Sequence, residues 1–274
     1  GFPYTTRPAR VQVLCGAPTA RILDGARLEQ LLAGPLLLDG DAAQVLTERG
    51  YADLIGAEML EPRGPDFDAE QVRAVAGFED LAGQTLYSMA YLQWGSEFDR
   101  IHDARPAGPT ESVTAFVFQG QPSDAAASPT FRQPGLMRCI NRLGGRIVLS
   151  PTAFTTRSSN FFGVRKRELL RRLIEWLDPE ALPAAVLEAP NVSLTANRSR
   201  DGASLIFTVI NLGVDPVRKL KLAMAPSIEG WDVERLEDST WRPVAHAWRE
   251  RTLEISLDVT MLKPLLLRMR SPVC

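Results

Sequence analysis

Histidine and cysteine are scarce in this sequence, with 2 His and 3 Cys among 274 residues. Cys15, Cys139 and Cys274 are far apart and odd in number. They fit neither a metal knuckle nor a disulfide framework and read as buried or terminal free thiols. No apolar run approaches the roughly 18 residues that span a bilayer. Residues 1–10, GFPYTTRPAR, lack the apolar core of a secretory signal. The first residue is Gly1 and not Met, which reads as a chain processed or cut from something longer. The compartment stays open, with the cytoplasm expected if the native N-terminus carries no signal peptide. Lys and Arg number 31 against 33 Asp and Glu, so the basic surplus of a general nucleic-acid binder is missing. Neither nucleic acid nor a membrane is an expected partner, and no cofactor or metal is implied.

What is present is an ordinary globular composition, 45% hydrophobic and 23% charged, in a chain long enough for two domains. The N-terminal part is organised around residues 35–58, PLLLDGDAAQVLTERGYADLIGAE. Leu36, Leu37 and Leu38 form a short apolar run stopped by Asp39 and Gly40, which suits a buried strand of a parallel sheet. Asp41 stands where an N-cap would, Ala42, Ala43, Val45 and Leu46 make a helical stripe, and Gly50 ends it. Residues 51–55 are apolar again and read as a second strand. Residues 11–15, VQVLC, form a further strand candidate, and Asp24 caps a short helix over 25–33.

Further along, 61–68 reads as a loop and 69–76 as one or two helical turns. The stretch 81–94 is aromatic-rich, 97–109 is polar, and 112–119 alternates as a strand should. Residues 121–129 read as a surface loop. Gly144 and Gly145 precede the apolar run 147–149 and permit a tight turn with positive φ and close backbone approach. Residues 165–177 give the strongest helix, with Leu169, Leu170, Leu173, Ile174, Trp176 and Leu177 on a wide apolar face. From 178–183 on, short β-rich runs without helices predict a small antiparallel sandwich. The expected domains are therefore 1–182, α/β, and 183–274, all-β.

These segments carry a resemblance. LLLDGDAAQVLTERGYADLIG, then NRLGGRIVL, then RELLRRLIEWL, then strands containing VINLGVD resemble the C-terminal half of bacterial β-galactosidase-like glycoside hydrolases. The resemblance implies a flavodoxin-like domain of the class I glutamine-amidotransferase type, used in trimerisation, followed by a β-sandwich. It implies a homo-oligomer that meets carbohydrate through its parent enzyme. Catalysis in that family uses an acid and a nucleophilic carboxylate on a TIM barrel, which would precede residue 1. Neither carboxylate maps onto this chain, so the expected function is a non-catalytic C-terminal portion. The alternative is a free-standing carbohydrate-binding or scaffold protein.

Candidate chemistry is sparse. True amidotransferases carry a nucleophilic Cys at a strand-to-helix elbow, and Cys15 precedes Gly16 after a strand, yet Val13 and Leu14 stand where the elbow wants glycine. Neither His102 nor His246 lies in the His-x-Glu pattern that the amidotransferase resemblance requires. Asp39 with Asp41, and Glu58 with Glu61, are carboxylate pairs capable of acid–base work, but turns and caps explain the first pair more simply. Glu97, Asp99, His102 and Asp103 form a polar cluster able to touch a sugar or a metal, against the plain reading of a solvated loop. Trp231, Trp241 and Trp248 lie in the sandwich, where stacking on sugar rings competes with core packing. The basic residues 165–167 and 171–172 read as a solvated face or as subunit ion pairs. Asn191 and Asn197 open glycosylation sequons of the kind that occur by chance.

Overall fold

The computed structural model describes residues 9–63, 69–87, 101–118, 130–154, 164–189 and 191–272. The architecture is β-rich, with few helices. The chain separates into one unit spanning Arg10–Leu177 and another from Asp178 onward.

The first unit opens with β1 (Gln12–Leu14), α1 (Ala17–Ile22), α2 (Gly25–Leu32), β2 (Leu36–Leu38), α3 (Gly40–Glu48), α4 (Ala52–Ile55) and β3 (Ala57–Arg63). It continues with β4 (Ala69–Val72), β5 (Thr85–Tyr87), β6 (Ile101–Pro106), β7 (Glu111–Ser112), β8 (Thr114–Phe118) and β9 (Thr130–Pro134). Then come β10 (Met137–Ile140), β11 (Arg146–Leu149) and α5 (Val164–Leu177). The main sheet has the order β1-β2-β11-β10-β7. Its first three strands are parallel, with Leu37 between Val13 and Val148, and β10 and β7 are antiparallel additions. Leu36, Leu37 and Leu38 are all buried, as a strand in mid-sheet with both faces covered must be. Two antiparallel sheets complete the unit, β3-β6 and β5-β4-β8-β9.

Four local expectations are corrected. The N-cap of α3 is Asp39, whose carboxylate accepts from Ala42 N, while Asp41 lies in the first turn. Residues 52–55 form a helical turn, because their backbone bonds close locally: Ile55 N donates to Tyr51 O at 3.1 Å and Gly56 N to Ala52 O at 3.0 Å. Gly56, at φ 78, closes that turn and the strand begins after it. The segment 69–72 is a strand despite its helix-forming residues, because β5 and β8 flank it on both sides and pairing overrides propensity. The polar stretch 97–109 contains β6, which pairs with β3 and turns Ile101, His102 and Ala104 inward.

The turn before β11 uses both of its glycines. Gly144 takes φ 80, and a Cβ at Gly145 would overlap the Leu32 carbonyl oxygen. Asn141 holds this turn with its buried side chain. Its amide nitrogen donates to Leu32 O at 2.8 Å and Leu54 O at 2.9 Å. Its oxygen accepts from Leu143 N and Gly145 N, both at 3.0 Å. Helix α5 buries Leu169, Leu170, Leu173 and Leu177. The guanidinium groups of Arg138 and Arg146 both lie over its Trp176 ring, at 5.2 and 5.6 Å from the centroid.

The second unit is a sandwich of nine antiparallel strands in the described residues. They are β12 (Ala184–Leu187), β13 (Val192–Arg198), β14 (Ser204–Asn211), β15 (Val217–Met224), β16 (Asp232–Glu237), β17 (Thr240–Pro243), β18 (His246–Arg249), β19 (Thr252–Val259) and β20 (Leu265–Arg270). One sheet has the order β12-β15-β19-β18 and the other β13-β14-β20-β16-β17. Along β14 every second residue is fully buried, and Leu205, Phe207 and Val209 meet Leu220, Leu222 and Ile255 of the facing sheet in one core. The short strands β17 and β18 leave no apolar alternation in the sequence. Strands β17 and β18 are edge strands, and their Pro243, Arg242, His246 and Arg249 are exposed, so they carry no continuous apolar signal.

Gly145→Ala should lower the unfolding free energy by about 3 kcal/mol, because backbone must move to admit the methyl group. Gly144→Ala, which meets nothing within 4 Å, should cost only about 1 kcal/mol through its positive φ. Urea melts of the two variants side by side check the order.

Candidate functional site

Because β1, β2 and β11 run parallel, their C-terminal ends meet at one edge of the sheet. This is the edge at which open α/β sheets place ligands. Cys15 and Gly16 follow β1, Asp39 follows β2, and residues 150–154 follow β11. The loops are stitched together: Asp39 N donates to Leu14 O at 3.3 Å, Ser150 N to Leu38 O at 2.9 Å and Gly40 N to Thr152 O at 3.2 Å.

The Asp39 carboxylate sits at the centre, fully buried. Oδ1 accepts from Gly16 N at 3.0 Å and Ala42 N at 2.9 Å. Oδ2 accepts from Gly16 N at 3.1 Å and Phe154 N at 3.0 Å. Burial pushes its pKa above the ordinary aspartate value of 3.8, the three amides pull it back, and the neighbouring Asp41 charge adds to the rise. A carboxylate here closes a nest of amides drawn from all three loops.

His102 of β6 joins the same edge. Its backbone N donates to Pro151 O at 2.9 Å, and its Nε2 meets Asp41 Oδ1 at 2.9 Å. Its Nδ1 is buried without a hydrogen-bond partner among the described residues. Gly40 makes the approach possible, since a Cβ there would overlap the Pro151 carbonyl oxygen and press on the imidazole. Cys15 does stand at a strand-to-helix corner, with Gly16 at φ 78 capping α1. Its thiol pKa is pushed up by burial and then by the Asp39 charge, which works against a nucleophilic thiolate. Burial pushes the Cys139 thiol further, up to about 11, against a lowering hydrogen bond with Thr110.

The other candidates do not converge. Glu97, Asp99 and Cys274 lie outside the described residues. Glu58 pairs with Arg105 at 3.1 Å on the surface, and Glu61 is exposed. Trp231 is buried in the sandwich core, and Trp248 packs against that core with its Nε1 enclosed and unpartnered among the described residues. Trp241 lies opposite Leu236 on edge strand β17, outside the core cluster. Its ring carries the Arg268 guanidinium at 4.6 Å, which Glu234 holds at 2.7 and 2.6 Å. The basic cluster on α5 is largely engaged within the chain: Lys166 with Glu70, Arg171 with Glu168 and Glu175, Arg172 with Asp80 and Glu168. Glu70 also accepts from Thr114 Oγ1. Sequence reading missed this buried Glu70–Thr114–Lys166 group, since nothing in single residues so far apart marks it. Among the described residues no group of three or more His, Cys, Asp and Glu is placed to hold a metal ion, and no helix is long and apolar enough to cross a membrane.

Fold and site define a β-rich chain with a partly parallel sheet whose strand-end polar groups are engaged with one another. No family model and no curated protein sequence matches it. Among solved structures it is similar to α-L-fucosidase isoenzyme 2 from Paenibacillus thiaminolyticus, with a TM-score of 0.59 and 9% sequence identity. The match covers 95% of this chain and 40% of that one, so the chain spans under half the length of that glycoside hydrolase. At this identity the likeness is one of fold.

Asp39→Asn should destabilise the chain by about 1–3 kcal/mol at pH 7, because the new NH2 faces amide donors. The sign of its pH dependence follows from the raised pKa. The wild-type carboxyl contributes most where it is protonated in both folded and unfolded states, below 3.8, and that contribution fades as pH rises through the folded value. The penalty of the substitution should therefore grow from pH 7 toward pH 4. Paired urea melts at the two pH values test this, and a penalty that shrinks on acidification would refute it.

Proposed function

We propose that this chain is a non-catalytic portion of a glycoside hydrolase, serving self-association and the support of a TIM-barrel catalytic domain outside it. The single observation carrying this reading is the fold likeness, which takes in 95% of this chain but only 40% of an α-L-fucosidase chain. The state of the strand-end site supports it. The amides of Gly16, Ala42 and Phe154 are spent on Asp39, and the Cys15 thiolate is disfavoured. The finer assignment, a flavodoxin-like domain of the amidotransferase type, draws support from the three parallel strands with α1 and α2 between the first two. The antiparallel β10 and β7 depart from a fully parallel sheet. Trimerisation through this domain belongs to the same proposal. The parent reaction would be hydrolysis of a sugar linkage by two carboxylates located elsewhere.

The half-buried Trp241, which lies outside the sandwich core and is braced by Arg268 and Glu234, favours a second reading in which the sandwich contacts carbohydrate. The chain alone should release no nitrophenol from 4-nitrophenyl α-L-fucoside or 4-nitrophenyl β-D-galactoside above a heat-inactivated control. Release abolished by Cys15→Ala or His102→Ala would overturn the non-catalytic reading. Saturable quenching of tryptophan fluorescence by L-fucose or D-galactose, lost in Trp241→Ala, would move the assignment to the carbohydrate-binding one.

A further inference from the structure

One end of the sandwich holds apolar side chains out in water. Leu212, Val214, Met261 and Leu262 are 59, 81, 48 and 62% exposed. They come from two loops, one after β14 and one before β20, which Asn211 binds together. The buried Asn211 side chain donates to Asp215 O at 2.7 Å and Val259 O at 3.0 Å, and accepts from Gly213 N at 2.9 Å. Its backbone carbonyl accepts from Leu262 N at 2.8 Å, and Leu212 N donates to Asn191 O at 2.8 Å. Leu262 has φ 56, a left-handed conformation that favours glycine. The fold thus spends a strained backbone and a buried amide on presenting apolar side chains to solvent. The three hydrogen bonds of Asn211 offset the burial of its amide, but nothing among the described residues covers the Leu262 side chain that the left-handed backbone presents, and an outlier of this kind points to a partner.

The rim says which partner. Exposed Asp215 stands beside the patch on one loop and exposed Lys263 on the other. Neither carries an ion pair among the described residues. We propose that this patch is a self-association surface whose occupant is the same patch on a second copy of the chain. A two-fold contact that brings Asp215 of one copy to Lys263 of the other makes that ion pair twice, because in an isologous contact residue i meets j and j meets i. The area agrees. The patch exposes on the order of 400 Å² of apolar surface, the size of the largest patch on a typical monomer, which is often functional. Two patches face to face bury about 800 Å², and their polar rims bring the contact to the roughly 1,000 Å² that a biological interface should clear. This surface belongs to the sandwich unit.

Sedimentation velocity across a concentration series of the intact chain tests the proposal. Wild type should associate reversibly, and Val214→Asp should abolish the step. Asp215→Lys alone or Lys263→Asp alone should weaken it by about tenfold or more, since like charges then face each other twice. Carrying both reversals together should restore the wild-type constant. All these positions are exposed, so thermal melts should be unchanged, which separates loss of contact from loss of fold. A wild type that stays monomeric at 100 µM would overturn the proposal, as it would if another domain or a lipid surface covered the patch. Association indifferent to every one of these substitutions would also overturn it, while leaving assembly through the α/β unit standing.

Discussion

The first unit depends on a carboxylate that has no access to water. Three parallel strands end in Leu14, Leu38 and Leu149, and each then enters a loop whose amides need acceptors. Asp39 supplies them, taking Gly16 N from the first loop, Ala42 N from the second and Phe154 N from the third. The same side chain starts α3, so strand order, loop closure and helix entry share one residue. Burying an aspartate is costly, and its raised pKa records that cost. The amides offset it only if all three loops are in place, so loop order and carboxylate burial stabilise each other.

The same device recurs in two other places. Asn141 uses both amide hydrogens and both lone-pair directions of its oxygen to tie the ends of α2 and α4 to the turn before β11. Asn211 does similar work at one end of the sandwich. In each case a short polar side chain replaces what would otherwise be several backbone pairings across irregular loops. Loops held this way keep a fixed shape without contributing apolar residues to the core. Around Asn211 that freedom is visible, because the loop side chains face outward and are largely apolar.

Periodicity in the sequence reveals the elements whose burial is one-sided or complete. The run of three leucines in β2 and the wide apolar face of α5 both appear in the structure with nearly the expected limits, and the β-rich runs beyond 183 form the expected sandwich. Elements decided by distant partners are not legible in this way. The β4 segment is a strand because β5 and β8 flank it, and the four residues of α4 are too few for a period to declare itself. The site is harder still. A polar residue after an apolar run looks the same whether it caps a helix in solvent or is sealed among three loops, so Asp39 takes the cap that the pattern assigns to Asp41. His102 meets Asp41 across 61 residues of sequence, and Lys166 meets Glu70 across 96. Nothing local to either residue announces its partner.

The geometry of the strand ends also bears on what the chain can do. Catalysis at such an edge relies on free amides aimed at a developing negative charge and on a nucleophile held in its reactive ionisation state. Here the amides aim at a negative charge that the chain itself supplies. Asp39 occupies the amides of Gly16, Ala42 and Phe154, and burial first and then the Asp39 charge raise the pKa of the Cys15 thiol. Freeing the amides would mean removing Asp39, and that would release the three loops that position them. Among the described residues of this unit, the edge at which open α/β sheets place ligands therefore serves as a fastening between loops.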